Sequence, residues 1–243
     1  MEAEKMSVSS YQLATYKTND AELRSGLVFS GELYDLVAIA SHVFGPESHQ
    51  CKDVSDVTHV LLHWPNVEKQ MRAIASTAEK FITEGAVQPV ENGYARLAAP
   101  YRPTRIFGAA SNYIEHAAEM ETKLAAKADS MPYMFVKAST SVIGPNETVL
   151  IPPETQKADW EVELGVIIGK PGRRIKAEDA SDHIAGYTIV NDISARDMNR
   201  RDDFPFKHDW FRGKSFDTFC PVSYTHLTMP TNTVTCCCGG GGV

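Results

Sequence analysis

The sequence predicts an α+β chain in which strands dominate, and three observations predict it. Short apolar or alternating runs bounded by turn residues recur along its length. A single long stretch in the first hundred residues carries helical spacing. Strands and helices do not alternate regularly, as a doubly wound parallel sheet would require. At 243 residues the chain is long enough to bury a continuous core, and no internal repeat divides it.

Residues 11–16 and 25–29 alternate or run apolar, with Asn19-Asp20 and Ser30-Gly31 as turn signals, which predicts a hairpin. Residues 32–39 are expected to add a third strand. Over 67–81 apolar side chains recur at Val67, Met71, Ile74, Ala75, Ala78 and Phe81, one stripe of an amphipathic helix. Pro89 and the loop to Pro100 then close a small N-terminal α+β domain, residues 1–100. Beyond Pro103, strands are expected at 105–108, 134–137, 149–153, 161–168 and 187–193, with an Ala-, Glu- and Lys-rich helix over 112–128. These form a second domain, 101–221.

The 31 acidic and 24 basic residues give a formal charge of −7, the opposite of the basic face that general nucleic-acid binding needs. No run approaches the roughly 20 apolar residues of a membrane helix, and the start, Met1 to Lys5, lacks the apolar segment of a signal peptide. A cytoplasmic location is expected, with neither nucleic acid nor membrane as partner. From Val222 the composition changes: Asp, Glu, Lys and Arg vanish, and Cys236, Cys237 and Cys238 precede a run of glycines. Three consecutive cysteines do not converge on one zinc as spaced pairs do. Residues 222–227 can be written codon by codon as a common sequencing-adaptor end, so 222–243 is expected to be a non-native tail. The other cysteines, Cys51 and Cys220, suit a reducing compartment.

The most informative stretch for chemistry is Asp159-Trp160-Glu161-Val162-Glu163 with the apolar run that follows. Side chains alternate faces along a strand, so Glu161 and Glu163 project together while Trp160, Val162, Leu164 and Val166 take the other face. Adjacent like charges beside apolar residues destabilise each other unless a cation lies between them; the alternative is a solvent-facing strand edge. Asp192 ends the apolar run 187–193, and as a third oxygen donor it would complete an all-carboxylate site suited to Mg²⁺ or Mn²⁺ rather than zinc. Asp197 reads as a turn former or helix cap. His116 and Glu119, at i and i+3, are neighbours on one helix face, either an ordinary surface pair or a general base with its orienting carboxylate. Gly213-Lys214-Ser215 imitates a phosphate loop, but His208 stands where that motif needs glycine. His59 and His63 lack the metalloprotease Glu, and Cys51 lies in a polar stretch without a catalytic partner.

Five segments occur together in one order: IFGAASNYIEHAAE (106–119), FVKAST (135–140), WEVELGVIIG (160–169), GYTIVNDISARD (186–197) and RGKSFD (212–217). In order and spacing they resemble the fumarylacetoacetate hydrolase superfamily from about Pro103 to Pro221, and the first hundred residues resemble the leader domain of bacterial members. The resemblance implies a mixed β-sandwich roll after a small N-terminal α+β domain. It implies Glu161, Glu163 and Asp192 as ligands of Mg²⁺ or Mn²⁺, and His116 with Glu119 as a catalytic dyad that activates water. Lys214 matches the lysine near the metal, Arg196 a substrate-contacting arginine, and Lys137 a further substrate-binding position.

The implied substrate is a small anionic 2-oxo or 1,3-dioxo carboxylate. The implied reaction is hydrolysis of a carbon–carbon bond in an acylpyruvate- or fumarylacetoacetate-like compound, as in the catabolism of aromatic compounds. The same electrophilic half serves a decarboxylase or isomerase of a small 2-oxo acid, which needs no attacking water. A homodimer is also implied. The family continues beyond the lysine segment and nothing here matches that continuation, so an inactive truncated fragment is the third reading.

Overall fold

The computed structural model describes residues 11–110 and 131–223, and the backbone of 225–227. Its strands are β1 (Tyr11–Lys17), β2 (Leu23–Phe29), β3 (Glu32–Asp35), β4 (Leu97–Ala98), β5 (Ile106–Ala110), β6 (Tyr133–Lys137), β7 (Val142–Ile143), β8 (Ala158–Asp159), β9 (Val162–Ile168), β10 (Ile184–Asn191), β11 (Ser194–Ala195), β12 (Cys220–Pro221) and β13 (Thr225–Leu227). Its helices are α1 (Leu36–Phe44), α2 (His49–Asp53), α3 (Val57–Leu62), α4 (Trp64–Thr83) and α5 (Trp210–Lys214). Among the described residues one sheet runs β3-β2-β1-β13-β10-β9, with β4 also paired to β1, and three two-stranded sheets join β5 to β6, β7 to β12 and β8 to β11. This is the strand-rich α+β architecture expected.

The chain forms two compact units. The first draws on the described parts of Met1–Tyr101, Leu164–Ile189 and Ser223–Val243, the second on those of Arg102–Glu163 and Val190–Val222. The units are therefore not consecutive: Leu164–Ile189, in the stretch assigned from sequence to the second domain, belongs to the first. β13, within the stretch set apart as non-native, pairs with β1 and β10. Backbone pairing of this kind is available to any sequence without proline.

The first unit is built around α4. Its stripe Val67, Met71, Ile74 and Ala78 is buried, with Ala75 and Phe81 partly buried against the same cluster. Leu36 and Ile39 of α1, Val57 and Val60 of α3, Leu13 of β1 and Leu27 of β2 complete that core. The hairpin β2-β3 turns at Ser30-Gly31, both with positive φ, the two-residue turn whose twist matches paired strands. The strand expected over 32–39 stops at Asp35. Asp35 Oδ1 accepts a 2.7 Å bond from the Ala38 N–H and starts a helix instead, because Leu36, Ile39 and Ala40 bury together at helical spacing. The polar stretch around Cys51 folds into α2, and Cys51 is buried. The strand expected at 149–153 is absent: Pro152 and Pro153 cannot donate to a ladder, and the Leu150 N–H bonds the Thr218 hydroxyl at 2.8 Å.

The second unit has a smaller core of Ile193, Ala195, Met198 and fully buried Phe219. Asp197 accepts from the Thr155 hydroxyl (2.5 Å) and the Gln156 N–H (2.9 Å), so it clamps a loop. Along β9 the usual pattern is inverted. Val162, Leu164, Val166 and Ile168 are 47–63% exposed while Glu163 and Ile167 lie on the more covered side. No helix of the described residues is long and apolar enough to cross a membrane.

Candidate active site

Every described side chain of the site comes from the second unit. Glu161 stands just before β9 and Glu163 within it, on the same face because they are two apart. Asp192 follows β10. Its N–H bonds the Glu161 carbonyl at 2.7 Å, and the Glu161 N–H bonds Asn191 Oδ1 at 3.0 Å, so one main-chain tie and one through the Asn191 side chain set the carboxylates side by side. Oxygens of Glu161, Glu163 and Asp192 all lie within 4.8 Å of one another.

Three cations surround them. Lys214 Nζ donates to Glu161 Oε2 (2.6 Å), Asp192 Oδ2 (2.5 Å) and Ser194 Oγ (2.7 Å). Lys137 Nζ donates to Asp192 Oδ1 at 2.6 Å. Arg196 lies 2.5 Å from Glu161 Oε1 and 2.9 Å from Asp159 Oδ2. Lys137, Asp192 and Lys214 are only 3–4% exposed. Charges so far from water persist only when paired, which explains the density of ion pairs.

Local sequence explains how Lys214 arrives there. Asp209 caps α5 through the Arg212 N–H (3.1 Å). At the next position a side chain would be obstructed: a Cβ on Gly213 would lie 2.8 Å from the Ala195 carbonyl and collide with Asn199. Glycine thus lets α5 approach β11 closely enough for Lys214 to reach Ser194. Phe135 packs over Lys214, its ring centroid 5.1 Å from Nζ, and edge-on to Trp210 at 5.3 Å. A Cβ on Gly108 would enter that ring.

Glu163 differs from its neighbours. Among the described residues the three cations pair with Asp192, Glu161 and Asp159 and not with it. Burial, with Asp192 and then Glu161 adding repulsion, pushes its carboxyl up to about 7. Burial also pulls the Lys137 ammonium down, opposed by Asp192, and pushes the Cys220 thiol up to about 11. Cys220 is therefore a protonated, buried thiol and no nucleophile.

The donor set fits a hard divalent cation: three converging carboxylates, of which Glu163 has no ion-pair partner among the described residues, with no His or Cys among them. Below pH 7 a proton competes with the cation at Glu163. The apparent Mn²⁺ affinity is accordingly expected to fall about tenfold per pH unit below about 7 and to level off above it. Titration of free Mn²⁺ by electron paramagnetic resonance across that range checks this; a flat profile would contradict it.

Glu161, Glu163, Asp192, Lys214, Arg196 and Lys137 are thus brought together. His116 and Glu119 lie outside the described residues. Sequence reasoning passed over Asp159 and Ser194, although period two places Asp159 on the face of Glu161 and Glu163, and Ser194 on that of Asp192.

Residues 105–235 match the family described as fumarylacetoacetate (FAA) hydrolase C-terminal. The human mitochondrial oxaloacetate tautomerase FAHD2A is 40% identical over 152 residues, 60% of this chain and 46% of that protein. The chain spans about half the length of the curated relatives it matches. Among solved structures, a fumarylacetoacetate hydrolase from Exiguobacterium antarcticum superposes with a TM-score of 0.58 at 26% identity, over 90% of this chain and 67% of that one. A 2-hydroxyhepta-2,4-diene-1,7-dioate isomerase from Mycobacterium marinum shares the fold, with a TM-score of 0.54 at 22% identity over 91% of this chain and 68% of that one.

Proposed function

The chain belongs to the fumarylacetoacetate hydrolase family, and from that premise we propose a cation-dependent enzyme that interconverts the keto and enol forms of a small 2-oxo carboxylate such as oxaloacetate. One observation carries this reading: three carboxylates lie within 4.8 Å of one another, and two of them, Glu161 and Asp192, hold the buried ammonium of Lys214 at 2.6 and 2.5 Å. A cation site and a fixed hydrogen-bond donor together stabilise negative charge developing on a carbonyl oxygen. The tautomerase named among the relatives supports the same choice.

Bound at Glu161, Glu163 and Asp192, Mg²⁺ or Mn²⁺ would supply a Lewis acid toward the 2-oxo group. On giving up one of its three present acceptors, Lys214 would donate to the 2-oxo oxygen. A general base, the role the resemblance implies for His116, takes the C3 proton. The C–H electron pair forms the C2–C3 double bond, the carbonyl pair moves onto oxygen, and the donor bond from Lys214 strengthens with the charge growing there. Returning the proton to C3 regenerates the ketone. Arg196, 26% exposed, has Nε and Nη2 held by Asp159 and Glu161, which turns the rest of its fork toward an anionic substrate. Ser194 accepts from Lys214 and donates to the Asp192 carbonyl at 3.1 Å, steadying the ammonium. The proposal keeps the small anionic substrate and the homodimer expected from the resemblance.

Carbon–carbon hydrolysis of an acylpyruvate is the second reading, favoured by the spacing of His116 and Glu119. It demands an activated water in addition to everything above. The test compares enol loss from oxaloacetate and cleavage of acetylpyruvate by the full chain, each with and without Mg²⁺. Tautomerisation that requires Mg²⁺, with acetylpyruvate intact, is expected. Release of acetate and pyruvate faster than tautomerisation would overturn the first reading in favour of the second. A folded, Mn²⁺-binding chain inert in both assays would overturn both readings.

A further inference from the structure

Lys137 ends β6, which pairs with β5 in the register Ile106↔Lys137. Its side chain is 3% exposed. Nζ donates to Asp192 Oδ1 at 2.6 Å, to the Ile193 carbonyl at 3.2 Å and to the Lys214 carbonyl. An ammonium has three N–H donors, so all three are directed at acceptors of this chain. The next residue continues the seam: the Ala138 N–H bonds Ser215 Oγ at 3.0 Å.

Lys214 presents a contrast. Two of its three acceptors are Glu161 Oε2 and Asp192 Oδ2, oxygens of the cation-ligand set. The acceptors of Lys137 are the other oxygen of Asp192 and two main-chain carbonyls. A substrate would have to break one of those bonds, in a place water hardly enters, to reach Lys137.

We infer that Lys137 is a positioning residue and not a substrate contact. It fixes Asp192 through Oδ1, so that Oδ2, which accepts from Lys214, is the oxygen on the side of a cation, and it ties that carboxylate to the backbone that carries Lys214. One side chain thereby sets the distance between a cation ligand and the electrophilic lysine. The inference rests on the cation-dependent reading proposed above.

The test is Lys137→Met in the full chain, which removes the charge and donors while keeping most of the stem. Mn²⁺ affinity is measured by electron paramagnetic resonance, KM for oxaloacetate at saturating Mn²⁺, and folding by thermal melting. Mn²⁺ affinity is expected to weaken by about 10–100-fold, the usual effect of removing a partner that orients a metal ligand, with KM within about twofold of wild type. Unchanged Mn²⁺ affinity with KM raised about tenfold or more would overturn the inference and return Lys137 to the substrate. If wild type binds no Mn²⁺, the cation reading fails and the inference with it; if wild type binds and the variant binds equally, only the inference fails. Should Lys137→Met not melt cooperatively, Lys137→Arg decides by the same split. Weaker Mn²⁺ binding at unchanged KM supports positioning, and raised KM at unchanged Mn²⁺ affinity overturns it.

Discussion

If the chain is the keto–enol tautomerase proposed above, Lys214→Met is expected to lower turnover of oxaloacetate by about 10²–10³-fold at saturating Mn²⁺, the usual loss when one donor to a developing oxyanion is removed. Methionine keeps the stem against Phe135 and removes only the ammonium. The same change acts on stability with an identifiable origin. Glu161 and Asp192 lose a partner at 2.6 and 2.5 Å in a setting where Asp192 is 3% exposed. Removing one member of a buried pair costs about 3 kcal/mol, a fall in Tm of roughly 6–12 °C for a chain of this length. Added Mn²⁺ replaces the missing positive charge, so it raises Tm further in the variant than in wild type. Thermal melting with and without Mn²⁺, beside steady-state kinetics, checks both halves. Unaltered turnover would remove Lys214 from the chemistry.

Glu163→Gln acts on function and stability with opposite signs. Burial, with Asp192 and Glu161 adding repulsion, pushes its carboxyl up to about 7 from an ordinary 4.5. A raised carboxyl favours the folded state fully below 4.5, and that contribution is lost as pH rises through 7. At pH 8 the ionised group costs the cation-free fold roughly 2–3 kcal/mol, after allowance for its partial exposure. Glutamine cannot ionise. The variant is therefore more stable than wild type at pH 8 without a cation, and the advantage disappears as pH falls toward 4.5. It also loses a ligand oxygen with its charge, so Mn²⁺ binding weakens at least about 100-fold and turnover falls with it. Denaturant titrations at the two pH values measure the first effect. A stability difference independent of pH would show that burial and the neighbouring carboxylates do not raise the Glu163 carboxyl.

How much of this was legible in the sequence depended on periodicity. A period of two along 161–167 placed Glu161 and Glu163 together, and a period near 3.6 placed Val67, Met71, Ile74 and Ala78 in one core stripe. Short apolar runs were ambiguous, as they must be when neither period has room to repeat. Residues 32–39 read as one strand because the Asp35 cap, a single hydrogen bond, decides between strand and helix there. Roles set by contacts distant in sequence were hidden altogether. Lys137 reaches Asp192 across 55 positions and Lys214 across 77, and no local pattern reports that its three donors are spent. Asp159 stood in plain view beside Trp160, but its role depends on Arg196, 37 residues away.

The inverted exposure of β9 has a consequence for how the chain reaches its native state. A slip of one residue against β10 would turn Val162, Leu164 and Val166 to the covered side and carry Glu161 and Glu163 out to water. Hydrophobic burial alone would reward that misaligned pairing. What opposes it is polar: the Asp192 N–H on the Glu161 carbonyl and the Asn191 side chain on the Glu161 N–H. Asn191, which is neither a carboxylate nor a cation of the site, thereby marks the alignment on which the carboxylate cluster depends, and that alignment is set before any substrate arrives.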